Sequence, residues 1–278
     1  VPTKINSRQN SRIKEVVKLT KRRQRDERRA TLVEGNREVE RALGAGVTPI
    51  EAYICPELCH NPLIAQQLTA LDAASQTPLY EVTPDVFEKI AYREKSGGVL
   101  LTVPYFSQEL SAISRVQPTF IAIVEGVEKP GNLGAILRTA DGAGVDVVIV
   151  CSPPQTGQHE TSVDVHNPNA IRASLGTIFH VPLVQTTTDD ALTWLHEQKI
   201  QIVATTPDGA QNYTQIDMRD PTVVVMGSEA HGLSDAWLDA ADRRAMIPMN
   251  GIADSLNLST SAALLLYEVV RQREDSDG

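Results

Sequence analysis

From residue 118 onward the chain repeats one pattern, a short apolar, β-branched run followed by a helical stretch. Such runs occupy residues 120–124, 145–150, 181–184, 202–206, 223–226 and 245–248, with helical segments at 132–143, 168–175 and 189–198 between them and a last helix over 257–273. A run that is apolar at every position has no solvent face, so it fits a parallel strand covered on both sides. Strands alternating with helices specify an α/β fold with a parallel sheet between two helical layers. Upstream, Ile13, Val16, Val17 and Leu19 predict a helix over 8–24. Residues 31–105 alternate helices (34–43, 64–74, 84–91) with strands (50–54, 79–82, 99–103), a smaller α/β unit. The expected organisation is a basic arm plus small domain over 1–105, a linker over 106–117, and the parallel-sheet domain over 118–278.

Charge is distributed unevenly. The net −9 would by itself oppose a nucleic-acid partner, but residues 1–29 hold eleven Lys and Arg against Glu15, Asp26 and Glu27. That segment is +8 on a remainder of −17. The series Lys21-Arg22-Arg23-Gln24-Arg25 with Arg28-Arg29 repels itself unless a polyanion lies nearby, so the expectation is a phosphate-contacting arm; a solvated charged helix is the alternative.

In open parallel sheets ligands bind beyond the carboxyl ends of the strands. Three unusual clusters stand there. Glu125-Gly-Val-Glu-Lys-Pro-Gly-Asn132 follows the first strand, with Arg138 in the next helix. Its glycines allow close backbone approach, and the helix start offers free N–H groups to an anion. Asn132 is read as a helix cap or a holder of a substrate hydroxyl. Met226-Gly-Ser-Glu-Ala-His-Gly-Leu-Ser234 follows the fifth strand, with Glu229 between two glycines and able to pair with Arg138; Ser234 is read as the cap of the next helix. Ile247-Pro-Met249 and then Ser255-Leu-Asn257-Leu-Ser259 open the last helix, with more polar residues than a single cap requires.

Other chemistries find little support. G-x-G-x-x-G and P-loop patterns do not occur. Cys55, Cys59 and His60 suggest a metal site only superficially, since zinc usually needs four ligands at a recognised spacing; His159, His166, His180 and His231 show no ligand spacing either, and no metal is expected. Three cysteines fit a reducing compartment. The start is polar and basic, and no apolar run reaches the roughly 18 residues of a membrane span. A cytoplasmic protein without membrane contact is the expectation.

Together the clusters resemble the three signature motifs of the SpoU/TrmH branch of the SPOUT RNA methyltransferases. Pro-Gly-Asn-Leu-Gly-Ala-Ile-Leu-Arg-Thr-Ala at 130–140 is similar to the first, Met-Gly-Ser-Glu-Ala-His-Gly-Leu-Ser at 226–234 to the second, and 247–249 with 255–259 to the third. Asn167-Pro168 and Arg172-Ala-Ser174 resemble the family's middle segment, and Val33-Glu-Gly with Arg37-Glu-Val resemble its L30e-like substrate-binding domain. Glu128-Lys129 departs from the Asn often found before Pro-Gly-Asn, and Ser228 from the usual Asn or Ala. The resemblance implies a C-terminal trefoil knot that binds S-adenosylmethionine, a homodimer through the knotted region, and methylation of a ribose 2′-OH in RNA. It places Thr205, Gly227, Ile247, Met249 and Leu256 at cofactor-contacting positions. It places the proposed catalytic arginine at Arg138, with Asn132, Glu229, Ser255 and Asn257 as supporting polar residues.

Methyl transfer needs an oxygen in line with the S–CH₃ bond and a way to remove or stabilise the hydroxyl's charge. A guanidinium with a pKa above about 12 is an awkward base, so Arg138 is expected to hold the target phosphate and stabilise a developing alkoxide. Ribosomal RNA is favoured over tRNA as substrate. The rival readings are a tRNA 2′-O-methyltransferase, a non-catalytic RNA-binding protein that kept the fold, and a small-molecule methyltransferase, which the basic arm opposes.

Overall fold

The computed structural model describes residues 2–92, 97–113, 117–153, 163–208 and 211–275; His159 lies outside them. The chain forms two compact units, one of residues 1–106 with 166–180, the other of 107–165 with 181–278.

The first unit is built on a five-stranded mixed sheet of β1 (Thr3–Ile5), β2 (Ala30–Glu34), β3 (Glu51–Ile54), β4 (Leu79–Val82) and β5 (Val99–Pro104) in the order β1-β4-β3-β5-β2. The first 29 residues are part of this unit rather than an arm attached to it. β1 pairs with β4, and Ile13, Val16 and Leu19 are buried in the unit's core with Tyr53, Phe87 and Leu100. The helix expected over 8–24 is two helices, Ser11–Lys18 and Arg22–Arg28. The break has a physical cause: helix ends leave carbonyls unpaired, and the buried Arg25 guanidinium donates to Leu19 O (2.8 Å) and Thr20 O (2.9 Å). β2, which the sequence reading did not assign, pairs antiparallel with β5.

Residues 166–180 also belong here, not to the parallel-sheet half where the reading placed them. Thr31 Oγ1 donates to His166 O (2.5 Å), Arg41 to Leu175 O (2.9 Å) and Asn169 Nδ2 to Tyr92 OH (2.9 Å). Tyr105 stacks on the His166 ring at 3.5 Å between centroids.

The second unit contains seven parallel strands: β6 (Phe120–Glu125), β7 (Val147–Ser152), β8 (Leu183–Thr187), β9 (Gln201–Thr205), β10 (Gln211–Asn212), β11 (Thr222–Met226) and β12 (Arg243–Met246). Their order is β10-β12-β9-β11-β6-β7-β8. The chain runs from β6 outward through β7 to β8, then builds the rest on the other side of β6. The ends of β6 and β11 therefore flank the point where strand order reverses, the expected place for a ligand crevice. The interiors of β6, β7, β9 and β11 are buried, and Trp194 and Trp237 pack against Ile123, Ile149 and Val225. The stretch read as a linker is more than that: a helix at Leu110–Ile113 sends Ile113 into this core, and Gln108 N donates to Leu183 O. The closing helix, Leu258–Glu274, packs on the Pro130–Ala143 helix.

Candidate functional site

Beyond the carboxyl ends of β9, β11 and β12 lies a cavity of about 360 Å³. Thr205, Gly227, Ile247, Met249 and Leu256, the five positions assigned to the cofactor, all line it. So do Glu229 and Ser255. Met226, which opens the second motif but was given no role, adds apolar wall with Ala245 and Met246, while Thr206, Ser228 and Ser261 add polar groups. Thr205 Oγ1 is turned onto Val225 O (3.0 Å), tying β9 to β11 at the cavity floor. An apolar wall with a few convergent polar groups is the usual composition of a small-molecule site.

Beside the cavity three chain segments meet on one carboxylate. Asn132 Nδ2 (2.9 Å) and Asn257 Nδ2 (2.8 Å) both donate to Glu229 Oε1, and Lys129 Nζ reaches Glu229 Oε2 at 2.5 Å. Asn257 Nδ2 also approaches Asn132 Oδ1 (3.2 Å), and its own Oδ1 caps the last helix by accepting from Ser259 N (2.9 Å) and Ser259 Oγ (2.6 Å). The Lys129 ammonium, with the Asn132 amide, holds the Glu229 carboxyl below its ordinary pKa. Surrounded by donors, this carboxylate is an anchor that joins the three motifs.

Three expectations are corrected here. Asn132 is not the cap of the Pro130–Ala143 helix: Lys129 precedes that helix and Asn132 lies inside its first turn, where the side chain turns to Glu229. The ion-pair partner of Glu229 is Lys129, not Arg138. Ser234 does stand at the cap position of the Asp235–Ala240 helix, but its hydroxyl makes no capping bond and donates to Glu125 Oε1 instead (2.9 Å).

Arg138 is exposed on the Pro130–Ala143 helix and, among the described residues, has no hydrogen-bond or ion-pair partner. Its five donors are available to a phosphate or an oxyanion. Lys129, noted in the sequence only as a departure, and Glu125, quoted there only as the first residue of the first cluster, are site residues whose roles sequence reasoning missed. A carboxylate closing a wholly apolar strand was the available signal for Glu125; Lys129 had none, since its partner Glu229 lies 100 residues on. Among the described residues no group of three His, Cys, Asp or Glu side chains is placed to hold a metal.

Comparison with known proteins adds to this geometry. The sequence model of the SpoU rRNA Methylase family matches residues 119–267, and that of the MRM3-like substrate binding domain matches residues 10–101. The 23S rRNA (guanosine(2553)-2′-O)-methyltransferase of Bacillus subtilis is 26% identical over 95% of this chain and 98% of its own length. A crystal structure of an RNA 2′-O ribose methyltransferase is 37% identical, with a TM-score of 0.77 over 98% of this chain and 100% of that one. A crystal structure of an AdoMet-bound rRNA methyltransferase from Sinorhizobium meliloti superposes with a TM-score of 0.85 at 29% identity, over 97% of each chain.

Proposed function

Since the chain belongs to the SpoU rRNA methylase family, we propose that it methylates ribose 2′-hydroxyls of ribosomal RNA as a cytoplasmic homodimer whose C-terminal domain is a trefoil knot. The chain is an S-adenosylmethionine-dependent RNA 2′-O-methyltransferase. The observation that carries the proposal is the convergence of the cavity and the carboxylate anchor on the ends of neighbouring parallel strands.

The cavity suits the methyl donor chemically. Ile247, Leu256 and Met246 offer apolar surface to a flat base, and Ser228, Ser255 and Ser261 offer hydrogen bonds to a ribose and an amino-acid end. Gly227 lets the loop backbone approach, because a side chain there would collide with Gly232. When bound, S-adenosylmethionine supplies an electrophilic methyl group on a sulfonium. The chain's own contribution is to hold and orient. Asn132 and Asn257, fixed through Glu229, set the first and third motifs against each other, and Ser255 faces the same cavity. Arg138 holds the RNA phosphate next to the target ribose and stabilises negative charge as the 2′-oxygen loses its proton.

Exposed Ile252, Leu264 and Tyr267, on and before the last helix, support a second copy as partner. Matched to a substrate-binding domain, the first unit supports RNA selection. Among the described residues no helix is long and apolar enough to cross a membrane.

Radiolabelled S-adenosylmethionine incubated with ribosomal RNA and with tRNA tests the reading, run beside Arg138→Lys. Label in a 2′-O-methyl nucleotide of ribosomal RNA, lost or strongly reduced in the variant, is the expected outcome. Label in tRNA alone would overturn the substrate, and full turnover by Arg138→Lys would overturn a role based on the guanidinium fork.

A further inference from the structure

The loop over 227–233 lines the cavity through Gly227, Ser228, Glu229 and Gly232. At its start it is anchored by β11, and in its middle by reciprocal Ser228–Gly232 backbone bonds of 3.1 and 3.0 Å. Its exit is anchored by a group outside all three motifs. Glu125, the last residue of β6, is 2% exposed. Ser234 N donates to its Oε2 (2.7 Å), Ser234 Oγ to its Oε1 (2.9 Å), and Thr188 Oγ1 to the same Oε1 (2.5 Å). Thr188, buried at the start of the Thr188–Gln198 helix, also approaches Ser152 O at 3.2 Å.

Three donors on two oxygens explain the residue type. A carboxylate accepts at both oxygens, whereas a glutamine accepts at one and would turn a donor toward the Ser234 N–H. Leaving a buried donor unpaired costs more than the bond itself contributes. The polar charge is thus buried where it can hold two backbone elements that the sequence places 109 residues apart.

We propose that Glu125 is a positioning residue of the methyl-donor cavity: through Ser234 it fixes the exit of the 227–233 loop, and thereby the loop atoms that face the donor. It touches neither donor nor RNA. The inference rests on the reading of the cavity as the S-adenosylmethionine site.

The test compares full-length wild type, Glu125→Gln, Ser234→Ala and Thr188→Val by calorimetric binding of S-adenosylmethionine, thermal melting and steady-state kinetics. Glu125→Gln is expected to melt lower and to bind the donor on the order of tenfold more weakly, the equivalent of one buried hydrogen bond. The loss falls on Kd and KM for the donor, with KM for RNA unchanged. Ser234→Ala, which removes one hydroxyl, moves donor affinity in the same direction by a few-fold. The double variant Glu125→Gln/Ser234→Ala is no worse than Glu125→Gln, because both act through one contact. Thr188→Val removes a bond from the same carboxylate but not from the loop, so it lowers the melting temperature and leaves donor affinity unchanged. Wild-type donor affinity in Ser234→Ala overturns the proposal, as does a Thr188→Val affinity that falls as far as that of Ser234→Ala. Should Glu125→Gln fail to fold, these two single variants decide the matter. A wild-type chain that binds no S-adenosylmethionine would overturn the cavity's assignment instead.

Discussion

Replacing Gly227 by alanine tests whether the cavity is shaped by the loop's own closeness. A Cβ at that position would lie 2.0 Å from the Gly232 carbonyl carbon, 2.3 Å from its oxygen and 2.3 Å from Leu233 N, where ordinary contact begins at 3.4 Å. All three atoms are backbone, so no side chain can swing away, and the opposing strand of the loop has to retreat. That retreat breaks the two Ser228–Gly232 backbone bonds. At about 0.5–1.5 kcal/mol net for each, the loss is ~1–3 kcal/mol. If the loop must close again to bind the donor, that cost appears in the affinity as a weakening of roughly 5- to 150-fold. Calorimetric titration with S-adenosylmethionine measures it. Gly131→Ala is the control: a Cβ there meets nothing within 4 Å, and the residue lies in the Pro130–Ala143 helix. Alanine there should leave donor affinity unchanged. Wild-type affinity in Gly227→Ala would refute the reasoning, because the steric argument leaves the loop no way to keep its shape.

Lys129→Met removes the cation that holds Glu229 below its ordinary pKa. The anchor is then intact above the ordinary carboxylate range and lost at a higher pH than in wild type, so the acidic limb of the kcat profile moves upward; an unmoved limb counts against the anchor. In the first unit, burial and then Arg29 lower His166 from 6.5 to about 3, while burial raises Glu34 from 4.5 to about 7. The unfolded chain protonates His166 first, so that term is present above 6.5 and falls toward pH 3 by ~1.4 kcal/mol per pH unit. Folded Glu34 keeps a proton that the unfolded chain has released, so its term is present below 4.5 and lost as pH rises through 7. The two slopes oppose each other between them: urea melts should show His166→Phe more stable at pH 5 than at pH 7 and Glu34→Gln less so, and identical profiles for the two variants would refute the assignment. Lys14→Glu with Lys21→Glu, both exposed positions, should lower the slope of log affinity against log salt by roughly 1.4–1.8, read by filter binding to ribosomal RNA at several salt concentrations.

Much of the second unit was legible because its central strands are almost wholly apolar. Phe120–Glu125 and Thr222–Met226 leave no solvent face to confuse with a helix, and their ends differ from expectation by a residue. The first unit was harder. Ala30–Glu34 is short and holds Thr31 and a terminal acid, so its apolar signal is thin. The break after Lys18 depends on Arg25 folding back onto two carbonyls, and a sequence of good helix formers does not announce that. Membership of 166–180 in the first unit rests on pairs such as Arg41 and Leu175, 134 residues apart. At the site, the lining residues were found through motif order. Lys129 was not, because a loop lysine looks like a solvated charge until Glu229, 100 residues on, is seen beside it.

The excess positive charge of residues 1–29 changes meaning once the fold is known. In the sequence alone these cations repel one another unless a polyanion lies nearby. In the structure many have partners already: Lys4 with Glu81, Arg8 with Asp85, Arg12 with Glu51, Arg23 with Glu27, and Lys18 and Arg28 with Glu15. Mutual repulsion is therefore relieved internally, and deleting the segment would remove β1 together with Ile13, Val16 and Leu19 from the core instead of trimming an arm. The proposed role in gripping RNA then rests on different grounds. Side chains in these pairs remain substantially exposed, Arg23 by 88% and Arg8 by 46%. Exposed pairs contribute about 0–1 kcal/mol, so exchanging a carboxylate for a phosphate costs little and releases counterions from the RNA. On the proposed reading the segment is a folded basic surface whose charges can change partner, with its packed helices setting where the attraction is felt.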